Sequence, residues 1–172
     1  MPAMIAWALK TAAKAVAALP LRWATGLARR AGWLLAHGVR LRRAQVLETL
    51  ARCFPEKTAS ERRALYAEMW KHQVLSAMEL LRYGGGRKAE MGARFEIHGE
   101  EIVKAARARC KGVLILIAHL DNYALLALQV PRLFGYPLSI IAKPLRNRAL
   151  NDVWWELQRA AASCAGCAPS AG

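Results

Sequence analysis

Apolar positions in the first fifty residues recur at helical spacing, and a single proline divides them. The Ala-, Leu- and Trp-rich stretches before and after Pro20 predict two short amphipathic helices. Cys53-Phe54-Pro55-Glu56-Lys57 then breaks the pattern. Thr58 followed by Glu61 has the form of a capping box, in which each side chain satisfies the other residue's backbone N–H. The helix it opens is expected to run to about Arg82. Tyr66, Trp70, Val74, Ala77 and Leu81 form its apolar face, and His72 falls on the polar one. Gly84-Gly85-Gly86 ends it and marks a hinge. No Gly-Lys-Ser/Thr follows, which excludes a phosphate-cradling P-loop.

Beyond the hinge the pattern alternates. Phe95 and Ile97 suggest a short strand, and residues 100–110 a helix rich in Ala, Lys and Arg. Val113 to Ala118 is an unbroken apolar run that reads as a strand buried on both faces. A helix over Asn122 to Leu133 follows, then a β-rich run, Leu138 to Ala142, after the turn Gly135-Tyr136-Pro137. A last helix is expected from Asn147 to about Ala161. The fold class this predicts is α/β: a helical N-terminal part, then a parallel or mixed sheet with alternating helices, incomplete at the C-terminus. Four parts result: basic amphipathic helices over 1–50, a helical segment over 51–86, a partial α/β domain over 87–160, and a disordered tail over 161–172.

Charge changes the picture of the N-terminal part. The 172 residues carry a formal net charge of +14, unevenly spread. Eight bases and no acid occur through Arg43, whereas residues 51–100 hold nine bases against seven acids. A basic, apolar, acid-free segment suits an anionic membrane surface, where each Lys or Arg near the lipid contributes about 1 kcal/mol. Nucleic acid is the competing partner, but no recognition-helix or stacking-platform pattern appears. Lys10, Lys14, Pro20 and Arg22 interrupt any span, so the two helices are expected to lie in the headgroup region with tryptophans at the interface. A hairpin packed on its own domain fits the same spacing. No positive n-region precedes the first apolar residues, so a secretory signal peptide is a poor match.

Candidate chemistry concentrates at one histidine. His119 ends the apolar run and opens the polar stretch His119-Leu120-Asp121-Asn122-Tyr123, where open α/β sheets place their active groups. A junction histidine satisfied by backbone would look the same. Cys53 and Cys110 read as small core residues, and Cys164 and Cys167 as an incidental pair without the second pair a zinc site needs. No metal site is expected.

Several blocks together resemble one family. Arg52-Cys53-Phe54-Pro55-Glu56, Glu61-Arg62-Arg63 and Glu79-Leu80-Leu81 are followed by Phe95-Glu96-Ile97-His98-Gly99-Glu100-Glu101. Gly112 to Tyr123 and Lys143-Pro144-Leu145-Arg146-Asn147 complete the set. In this order they resemble the bacterial lipid A biosynthesis acyltransferases, from the N-terminus to about Gln158. The resemblance implies acyl transfer from acyl carrier protein, or acyl-CoA, to a hydroxyl of a membrane glycolipid. It implies no cofactor beyond that acyl donor, and a place at the cytoplasmic face of the bacterial inner membrane, peripheral or N-terminally anchored. His119 would be the general base, with Lys143, Arg146 and Asn147 binding substrate. The sequence departs from the family at Ala124, where an acid is expected five residues after the histidine. Asp121 either replaces that acid or caps the next helix. The family's later blocks lie beyond residue 172. The alternative is a catalytically impaired, membrane-associated binding protein of the same fold.

Overall fold

The computed structural model describes residues 2–135, 138–139, 143, 151–152 and 155. Within them run α1 (Pro2–Ala18), α2 (Leu21–Leu34) with a π-helical extension (Leu35–Val39), and α3 (Arg43–Cys53). The long α4 (Ala59–Gly84) is followed by α5 (Lys88–Gly92), α6 (Glu100–Ala108) and α7 (Tyr123–Phe134). The sequence signals for α1, α2 and α4 act as expected. Pro20 stands extended between α1 and α2, and its carbonyl accepts from the N–H groups of Trp23 and Ala24. At Thr58 both halves of the capping box form. Thr58 N–H donates to Glu61 at 2.7 Å, and Glu61 N–H donates to Thr58 Oγ1 at 3.3 Å. The Thr58 N–H, and after it the Thr58 hydroxyl donating to the same carboxylate at 2.8 Å, hold the Glu61 carboxyl below the ordinary carboxylate value.

Helix α4 is the rail of the molecule: α1, α2, α3, α5 and α7 all lie against it. Small residues make this close. Ala24, Ala28, Gly32 and Ala36 recur every four residues, which puts them on one face of α2 and its extension, and all four are buried. A β-carbon built on Gly32 would stand 2.5 Å from Lys71 Cα, so the two backbones touch. Gly85, just past α4, meets α1 in the same way, and a Cβ there would run into the Ala13 carbonyl.

Charged donors close the end of α1. Arg82 is 1% exposed. Its Nη1 donates to the carbonyls of Val16 at 2.7 Å and Leu19 at 2.8 Å, and its Nη2 pairs with Glu90 at 2.8 Å. Arg87 Nε donates to Ala17 at 2.9 Å. Helix C-terminal carbonyls lack intrahelical partners and attract cations, so these bonds fasten α1 to the end of α4. Three apolar clusters follow along the rail, centred on Tyr66 and Ala67, then Met78, then Tyr83 with Met91, Leu125 and Leu128.

The structure corrects the expected α/β class. Every regular element among the described residues is helical, and no strand pairs with another. Val113 to Ala118 is not a buried strand. Leu114 and Leu116 are 95% and 96% exposed, while Val113, Ile115 and Ile117 are about half as exposed. An apolar run reports what a segment can bury, but a strand also needs a neighbour's N–H and C=O groups. Phe95 and Ile97 supply none: both lie in coil, and the Phe95 N–H already donates to the Gly92 carbonyl. Only Leu138 and Ser139 of the run 138–142 are described, and they form no regular element. The helix expected from Asn147, the pair Cys164 and Cys167, and the tail over 161–172 fall largely or wholly outside the described residues. Cys53 and Cys110 are exposed rather than core, since Cys53 ends α3 and Cys110 takes a left-handed turn conformation after α6. Among the described residues no helix is long and apolar enough to cross a membrane.

The close approach of α2 and α4 makes a direct prediction. Gly32→Ala should cost about 1–3 kcal/mol, because backbone rather than a flexible side chain must move. Gly26→Ala, on the open side of the same helix, should be neutral or gain up to about 1 kcal/mol from helix propensity. Urea denaturation of the two variants measures the difference, and equal effects would contradict the contact.

Candidate active site

Three backbone features build the turn that carries His119. Leu120 N–H donates to the Ala118 carbonyl at 2.9 Å, closing a three-residue turn with His119 at its tip. Asp121 follows at φ 44°, a left-handed conformation that Asp and Asn tolerate better than most residues. Asn122 then caps α7, its Oδ1 accepting from Leu125 N–H at 3.2 Å. The cap therefore falls on Asn122 and not on Asp121, whose left-handed backbone precedes the cap position.

Asn122 also ties the turn to the rail. Its Nδ2 donates to the Ser76 carbonyl at 3.2 Å and to Glu79 Oε2 at 2.8 Å. The other Glu79 oxygen pairs with Arg94 at 2.7 Å. One chain of bonds thus joins α4, the segment after α5 and the start of α7. Spacing gave no signal for it: 43 residues separate Glu79 from Asn122. Both residues stood in blocks that resembled the family, without a role assigned to either.

A cleft of about 330 Å³ opens beside this network. Met91, Phe95, Leu125 and Leu126 give it apolar walls, while Glu79, Arg94, Glu96 and Asp121 add charged ones. Tyr123 lines the cleft and also touches His119, with ring centroids 4.2 Å apart and planes tilted by 54°. The imidazole is exposed and does not itself line the cleft; it touches Tyr123, which does.

His119 and Asp121 share the turn without bonding to each other. Among the described residues neither side chain makes a hydrogen bond, so Asp121 does not fix the imidazole's tautomer in this conformation. Ala124 faces inward, 8% exposed, beside the buried Leu125 and Leu128. Lys143 is exposed. Arg146 and Asn147 lie outside the described residues. What the arrangement offers is an accessible imidazole beside a cleft that is about half apolar and half polar or charged, with three carboxylates in its lining. A neutral imidazole takes a proton from a hydroxyl, and carboxylate and amide oxygens accept bonds from further hydroxyls.

The sequence profile of a family described as bacterial lipid A biosynthesis acyltransferase matches residues 1–163. No curated protein and no solved structure matches the chain.

The Asn122 bonds predict two different losses. Asn122→Ala removes the cap and should cost about 1–2 kcal/mol. Asn122→Asp keeps a capping oxygen but sets a second carboxylate against Glu79. Its deficit should be present at neutral pH and shrink as acid protonates one of the pair. Thermal melts across pH measure both, and an Asn122→Asp variant as stable as wild type at pH 7 would remove the Glu79 contact from the account.

Proposed function

The chain belongs to the bacterial lipid A biosynthesis acyltransferase family, and we propose that it moves a fatty acyl group from acyl carrier protein, or acyl-CoA, to a hydroxyl of a membrane glycolipid. The reaction is placed at the cytoplasmic face of the bacterial inner membrane. The observation that carries this reading is the position of His119, exposed at the tip of its turn and in ring contact with cleft-lining Tyr123. The hydroxyl oxygen attacks the thioester carbonyl as the His119 imidazole takes its proton. The new C–O bond forms, the C–S bond breaks, and the imidazolium returns the proton to the leaving thiolate. The apolar walls suit an acyl chain, and Glu79, Glu96 and Asp121 suit sugar hydroxyls. Lys143, Arg146 and Asn147 are assigned to phosphate or the developing oxyanion by resemblance to the family block.

A second reading has its own observation. Ala124 stands where the family carries an acid, and Asp121 makes no bond to His119. Losing the orienting acid of a comparable triad costs on the order of 10⁴ in rate. On this reading the chain keeps the family's surface and binds acceptor without turning it over.

Radiolabelled acyl carrier protein and a lipid A precursor separate the two. Transfer that falls roughly 10²–10⁴-fold in His119→Ala supports the base, and transfer unchanged in that variant removes it. No transfer by wild type, with precursor binding retained, favours the second reading. Ala124→Glu should lower stability by several kcal/mol without raising transfer, because its carboxylate would be buried beside apolar side chains.

A further inference from the structure

Tyr123 is the first residue of α7 and belongs to two surfaces at once. Its side chain lines the cleft, and its ring lies 4.2 Å from the His119 ring with the planes tilted by 54°. Tilted aromatic pairs attract, because the positive edge of one ring meets the negative face of the other. The two residues approach because the chain between them turns sharply, at the bond from Leu120 N–H to Ala118 and at Asp121 with φ 44°. Tyr123 also stands on the firm side of that turn. The cap that Asn122 forms on Leu125 N–H, and its two bonds to α4, fix the backbone immediately before it. His119 has no such support, since residues 113–118 before it form no regular element.

We propose that Tyr123 is a positioning residue for the His119 base, its ring setting the direction of the imidazole in place of a carboxylate. Successive residues of a helix point about 100° apart. A side chain at position 124 enters the core, where Ala124 is 8% exposed beside Leu125 and Leu128, and the one at 123 reaches the imidazole instead. Asp121 is nearer in sequence, but among the described residues its carboxylate makes no hydrogen bond and gives the imidazole no direction. A ring contact restrains the plane of the imidazole and leaves both nitrogens open, so one of them can take the hydroxyl proton. It orients the base without choosing the tautomer, whereas a hydrogen-bonded carboxylate fixes both. Because Tyr123 also walls the cleft, the same ring sets the imidazole against a substrate held there. The role rests on the acyl-transfer reading for the reaction it serves; the contact between the rings does not.

Two readouts keep these apart. The His119 ring signals are followed by NMR on the full chain without donor or acceptor, assigned by comparison with His119→Gln. The Tyr123 ring current should displace them from those of an exposed histidine such as His98. They should stay displaced in Tyr123→Phe and collapse to the exposed value in Tyr123→Leu, a change tolerated at a position 38% exposed. With radiolabelled acyl carrier protein and a lipid A precursor, kcat should fall about 3- to 10-fold in Tyr123→Leu, the size expected from losing one aromatic pair. In Tyr123→Phe it should stay within about twofold, since the ring is kept. Wild-type signals already at the exposed value, or signals unmoved by Tyr123→Leu, overturn the proposal. So does a Tyr123→Leu variant that raises KM at unchanged kcat, the mark of a wall residue alone, and so do equal kcat losses in the two variants. Absence of transfer by the wild type counts against the acyl-transfer reading alone, and the NMR series still decides the contact.

Discussion

At Gly32 there is no room for a β-carbon between α2 and α4, and much of the molecule's organisation follows from that closeness. Gly32 sits against the Lys71 backbone and Gly85 against Ala13, so each helix can approach α4 only along a line of glycine and alanine. A helix whose buried line is small must carry its large apolar residues elsewhere. In α1 and α2 Val16 and Leu21 pack on the clusters, while Met4, Trp7, Trp23, Leu27, Trp33 and Leu34 face outward. The packed hairpin allowed for by the sequence is therefore what forms, and the opposite side of the same helices stays exposed.

The rail that forms the seam also sets the site. The last two turns of α4 carry Arg82 and Tyr83 toward α1, α5 and α7, and one turn earlier Ser76 and Glu79 receive Asn122. The turn bearing His119 is thereby held at its α7 end by a cap and by the two hydrogen bonds that Asn122 donates to α4. Its other end is the exposed run over 113–118, which pairs with no neighbouring strand among the described residues. His119 is thus fixed from one side only. That agrees with an imidazole whose sole described contact is the ring of Tyr123.

Local signals were legible in the sequence, and non-local ones were not. Pro20, the Thr58–Glu61 box and the triple glycine act within a few residues, and each produced the boundary expected of it. The strand over 113–118 failed because pairing depends on a partner far along the chain. Cys53 and Cys110 failed for a related reason: a small apolar residue is core only if another element covers it. At the site, His119 was visible from its place after an apolar run. The assignment of the cap to Asp121 missed the left-handed backbone there, which shifts the cap one residue on. The Asn122–Glu79–Arg94 chain joins three distant segments through single polar contacts, which no periodicity records.

The account rests on large apolar residues facing outward from a small-residue seam, and accessibility of individual indoles tests this most directly. Single-tryptophan versions of the lipid-free protein, with the others replaced by phenylalanine, would be titrated with acrylamide. Trp23 and Trp33 should be quenched nearly as readily as free tryptophan, while Trp70, whose Nε1 is fully covered in the α4 cluster, should be strongly shielded. Trp70 quenched as readily as Trp23 and Trp33, or those two shielded as well as Trp70, would contradict the seam and the surface that follows from it.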